Sequence, residues 1–86
     1  MASTVDSVKH GLEEFETTDL NLAAFLRVRD FPILNIIGRN GRAAFVFADT
    51  SALRKAVLDY ANDGKIPVRT FCNTLRDLKS LTRSAG

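Results

Sequence analysis

Apolar residues recur along the chain in two different periods, and the switches between them lay out the elements. Leu22, Ala23, Phe25 and Leu26 fall on one helical face, and Thr18-Asp19 ahead of them are capping-type residues. That helix should stop near Asp30, because Pro32 follows and disfavours helix before it. Residues 31–49 are β-rich, in two runs separated by Asn40-Gly41. A two-residue Asn-Gly loop takes φ > 0 at both positions and matches the twist of an antiparallel pair, which predicts a type I′ hairpin. The loop then sets Arg39 opposite Arg42, Ile37 opposite Ala44, Ile36 opposite Phe45, Asn35 opposite Val46 and Leu34 opposite Phe47.

Helical spacing returns with Leu53, Ala56, Val57, Tyr60 and Ala61, after an N-cap within Asp49-Thr50-Ser51 and before the stop at Asn62-Asp63-Gly64. Pro67 suits the first turn of another helix, whose stripe would hold Val68, Phe71, Cys72, Leu75 and Leu78 and end at about Thr82. Glu13 to Thr17 reads as a short edge strand with Phe15 inward. The prediction is one α+β domain over residues 13–83, behind a flexible N-terminal arm of residues 1–12. A small antiparallel sheet centred on the hairpin is packed by three helices, in the order (β)αββαα.

The hairpin has two unequal faces. Leu34, Ile36, Phe45 and Phe47 form the better core, since aromatic rings bury the most area. Ile33, Asn35, Ile37, Ala44 and Val46 form a second face too apolar for open water. Another part of the chain, a second copy or a ligand should cover it.

Composition adds limits. Eighty-six residues make one domain, and 45% hydrophobic with 26% charged residues is ordinary globular usage. The formal net charge of +2 hides a gradient: residues 1–20 carry one lysine against five acids, and residues 65–86 carry five cations against Asp77. Such poles steer a polyanion to the basic end, or pair head to tail. The single Cys72 forms no internal bridge, the N-terminus lacks a signal-peptide pattern, and no stretch is apolar enough to span a membrane, so a cytoplasmic setting is expected. One cysteine and one histidine, His10, fall short of a zinc ligand set, and neither metal nor cofactor is expected.

Along the last helix, Arg69, Asn73, Arg76, Ser80 and Arg83 recur at spacings of four and three with Lys79 beside them, a stripe about 20 Å long by helical rise. Such a stripe can follow a phosphate backbone, although a solvated helix face has the same composition. Arg39 and Arg42 face each other at the hairpin tip, which calls for an anion, an acid from the N-terminal pole, or splayed side chains in water. Residues 41–48 compare with the RNA-recognition signature only over Ala44-Phe45-Val46, and Phe45 and Phe47 are better placed in a core than on bases. Cys72 reads as a small buried hydrophobe. No nucleophile, base and oxyanion site assemble, which argues against an enzyme.

Three segments together carry a resemblance: Thr17-Thr18-Asp19-Leu20-Asn21-Leu22-Ala23-Ala24-Phe25-Leu26, then Phe45-Val46-Phe47 before an acid, then Phe71-Cys72-Asn73-Thr74-Leu75-Arg76-Asp77-Leu78-Lys79. In these the chain resembles a family of small bacterial and mobile-element domains without assigned function, over roughly residues 13–82. The resemblance implies a stand-alone small domain of phage or plasmid origin and brings no catalytic residues. Where that family often has charges in the first hairpin strand, this chain has Asn35-Ile36-Ile37.

The expected function is a non-enzymatic nucleic-acid-binding accessory protein. Arg69, Arg76, Lys79 and Arg83 would contact DNA or RNA phosphates, with Arg39 and Arg42 as a second contact. The alternative is a protein-interaction or homodimeric adaptor that uses Ile33, Asn35, Ile37 and Val46 as its interface.

Overall fold

A computed structural model of the chain describes residues 13–85, with side chains through residue 82. The predicted N-terminal arm, residues 1–12, and His10 within it lie outside the described residues. The elements are β1 (Glu14–Thr17), α1 (Leu20–Val28), β2 (Asn35–Arg39), β3 (Arg42–Ala48), α2 (Ser51–Ala61) and α3 (Val68–Ala85). The architecture is α+β in the expected order, and the sheet is antiparallel with order β1-β3-β2.

Asn40 and Gly41 both take positive φ, 53° and 79°, as a type I′ turn requires. The predicted register holds from Asn35↔Val46 to Arg39↔Arg42. Upstream of Asn35 the strand pattern ends, and two assignments fail with it. Ile33, expected on the second sheet face, packs against the core, and Leu34, expected inward, is 53% exposed. Pro32 precedes both, and the alternation that fixes facing applies only within the paired strand.

Side chains close the helix starts. Asp19 Oδ1 accepts the Leu22 N–H at 3.1 Å and Thr50 Oγ1 accepts the Leu53 N–H at 3.0 Å. Both α1 and α2 end on an aspartate in the left-handed region, Asp30 at φ 72° and Asp63 at φ 60°. The next residue's N–H then turns back onto the helix, Phe31 to the Leu26 carbonyl at 3.0 Å and Gly64 to the Asp59 carbonyl at 2.6 Å. Gly64 is needed for space: a Cβ there would lie 2.8 Å from the Asp59 carbonyl oxygen.

The core forms where α1 lies on one face of the sheet. Phe45 and Phe47 of β3 are buried with five consecutive α1 residues, from Leu22 to Leu26, and Phe15 of β1 packs against them as expected. Ala23 and Ala24 keep α1 slim enough for burial on several sides, with α2, α3 and β1 all against it. Arg29 locks the end of α1. Its guanidinium sits 4.6 Å from the Phe25 ring centroid, 3.2 Å from Asp59 Oδ2 and 3.1 Å from the Lys65 carbonyl oxygen, joining α2 and the α2–α3 connection. Tyr60 closes against Phe25 with centroids 5.3 Å apart, and burial, then the Asp19 charge, raises the pKa of its hydroxyl.

The end of α2 makes opposite predictions for adjacent residues. Gly64→Ala should destabilise by about 1–3 kcal/mol, because the added methyl meets backbone rather than a flexible side chain. Asp63→Gly should stabilise by up to about 1 kcal/mol, because glycine takes positive φ without strain. Urea unfolding midpoints of the two variants should move in opposite directions.

Candidate nucleic-acid interface

The exposed side of α3 follows from how little of the helix the core takes. Leu78 is buried, Phe71 and Leu75 are half-buried against the core, and Val68 and Leu81 are exposed. Arg69, Asn73, Arg76, Lys79 and Ser80 are exposed, so the polar stripe faces away from the body. Position 83 recurs on the same line of the helix, while the Arg83 side chain lies outside the described residues. Arg76 Nη1 donates to Asn73 Oδ1 at 3.4 Å, which holds two neighbours of the stripe together. Among the described residues, Arg69, Arg76 and Lys79 have no carboxylate within ion-pair distance.

Cys72 departs from its expected place: it is exposed. It follows Phe71 by one residue, hence sits about 100° further round the helix, and four residues before Arg76, hence on the polar side.

The hairpin tip separates two arginines that the sequence treats alike. Arg39 makes a two-pronged pair with Glu16, Nε to Oε2 at 2.6 Å and Nη2 to Oε1 at 3.1 Å. An acid of the N-terminal pole thus resolves the crowding of Arg39 and Arg42. The hydrogen bonds from Arg39 outweigh a desolvation cost and, with its charge as the least of the three causes, hold the Glu16 carboxyl below its ordinary value. Arg39 is correspondingly harder to deprotonate. Arg42 is exposed and has no such partner among the described residues. It borders a depression of about 520 Å³ that Gly41 and Thr82 also line, so it lies at the same end of the molecule as the close of α3. The geometry gathers Arg69, Arg76 and Lys79 on one helix face, sets Arg42 near Thr82 on the other side of α3, and engages Arg39 elsewhere.

The second sheet face is less open than its composition suggests. Glu16 on β1 is level with Val46, Arg39 on β2 is level with Arg42, and β3 runs between them. Their ion pair therefore crosses β3 over Ala44, whose short side chain leaves it room. Ala44 is fully buried and Val46 is 3% exposed, while Ile37 is half-buried and Asn35 exposed. Asn35 Oδ1 also takes up the Ile36 N–H at 2.9 Å. Ile33 is turned to the core and is no part of this face.

Among the described residues, no group of three histidine, cysteine, aspartate or glutamate side chains could hold a metal ion, and no helix is long and apolar enough to cross a membrane. Residues 12–84 match the domain of unknown function DUF5659. The chain belongs to that family. No curated protein and no solved structure matches this DUF5659 domain. Sequence reasoning missed Glu16 as the partner of Arg39 and Arg29 as the tie at the end of α1; the only advance signal for the former was the acidic pole.

The Glu16–Arg39 pair sets a pH dependence. The folded-state pKa of Glu16 lies below its ordinary value of 4.5, so the pair's stabilisation is complete above that value and is lost as pH falls through the lowered folded pKa. Between pH 6 and pH 3 the urea midpoint of Glu16→Gln should fall less than that of the wild type. Equal falls would mean that the pair is not coupled to folding.

Proposed function

We propose that this DUF5659 domain is a non-enzymatic nucleic-acid-binding accessory protein that contacts the phosphate backbone through the exposed face of α3. The supporting observation is the contrast among its arginines. Arg29, Arg39 and Arg54 are each matched to a carboxylate, whereas Arg69, Arg76 and Lys79 stand exposed on one helix face without one among the described residues. Cations left unmatched together are a polyanion's counterpart, and each phosphate they neutralise releases counterions and adds salt-sensitive affinity. Arg42 remains as the exposed member of the second contact at the hairpin tip, and Arg39 is withdrawn from it by Glu16.

The adaptor reading has less behind it. Val46 and Ala44 are already buried in the single chain, and of the expected interface Ile37 and Asn35 remain to offer a partner.

A double reversal, Arg69→Glu with Arg76→Glu, should weaken binding of a fluorescein-labelled 20-base-pair duplex at least about tenfold at low salt and flatten the plot of log affinity against log salt by about 2. Fluorescence anisotropy measures both quantities. Unchanged affinity and slope would remove these residues from the function.

A further inference from the structure

The chain has six phenylalanines, one tyrosine and no tryptophan. Phe25, Phe45 and Phe47 lie inside the core, and Phe15, Phe31, Tyr60 and Phe71 pack against it. Proteins that hold single strands commonly stack bases on aromatic side chains, and every aromatic ring of this protein is engaged in its own core. The proposed binding face instead offers guanidinium, ammonium and amide groups, which suit phosphate oxygens and base edges.

The setting of α3 narrows the target further. The helix has 18 residues, about 27 Å at helical rise. From Val68 to Leu81 only Leu78 is buried, with Phe71, Thr74 and Leu75 half-buried, so most of its circumference stands clear of the domain. A helix about 10–12 Å across with its side chains fits the B-DNA major groove, about 12 Å wide, whereas the A-form RNA major groove is deep and too narrow. Asn73 and Arg76, hydrogen-bonded to each other midway along the face, are the side-chain types that pair with adenine and guanine edges.

We infer that α3 is a groove-entering helix whose target is the major groove of B-form duplex DNA. The inference rests on the reading of α3 as the phosphate-binding face and adds the class of nucleic acid. Arg69, Arg76 and Lys79 hold the phosphates, and Asn73, hydrogen-bonded to Arg76, faces the base edges.

The chain's single cysteine reports on this placement. Cys72 is exposed and lies beside the polar stripe. Three fluorescent probes should be titrated at low salt by anisotropy: a 20-base-pair DNA duplex, an RNA duplex of the same sequence, and a 20-nucleotide oligothymidine. Alkylation of Cys72 by a maleimide should be timed with each probe at saturation. The DNA duplex should bind about tenfold or more tightly than the other two, and should slow alkylation at least about fivefold. Equal or tighter binding of the RNA duplex or oligothymidine would overturn the groove assignment, and so would unchanged alkylation on saturating duplex DNA; either result leaves phosphate binding in place. Failure of all three probes to bind would overturn the phosphate reading and this inference with it.

Discussion

Phe45 and Phe47 point from the middle strand into α1, and the rest of the domain is arranged around that contact. Both rings are buried, and α1 meets them with a run of five buried residues. Full burial of side chains of this size contributes roughly 1.5–3 kcal/mol each, a large share for a small domain whose total stability is about 5–15 kcal/mol. β1 and β2 flank the strand that bears the two rings, and α2 and α3 flank the helix that covers them. The caps, the left-handed aspartates and the Arg29 clamp orient this contact rather than replace it.

That concentration of apolar burial on α1 explains why α3 is so exposed. With α1 covered on several sides, the last helix has to supply only a narrow seam, centred on Leu78 with Phe71 and Leu75 beside it. The exposed positions of α3 are largely free of packing constraints, and Arg69, Arg76 and Lys79 stand among them without a carboxylate partner among the described residues. At the other end of the gradient Glu16 is consumed inside the fold by Arg39, as mid-chain Asp49 is by Arg54 through two hydrogen bonds of 2.9 and 2.8 Å. Among the described residues, no ion pair joins the two poles.

How much could be read in advance depended on whether the determinant was local. The hairpin was legible because Asn40-Gly41 fixes its turn and register, and the helix starts were legible because Asp19 and Thr50 reach N–H groups three residues away. The cationic positions of α3 followed from helical periodicity alone. Cys72 departs from the apolar stripe because, although a small apolar residue next to Phe71, it falls about 100° further around the helix. Ile33 and Leu34 depart from the period of two because they precede the paired strand, where alternation no longer sets facing. The fate of Arg39 was illegible because it depends on how β1 pairs with β3, and four residues with one phenylalanine do not announce a register.

The strand order places a demand on β1 during synthesis. β1 leaves the ribosome before its neighbour in the sheet among the described residues, β3, which lies a helix and a strand downstream. Until β3 appears, a bare β segment is a hazard for pairing with any other nascent chain. Glu13, Glu14 and Glu16 around the lone Phe15 make that segment self-repelling and poorly adhesive while it waits. The carboxylate that later grips Arg39 is thus also one of the charges that keep β1 solitary until its place in the sheet exists.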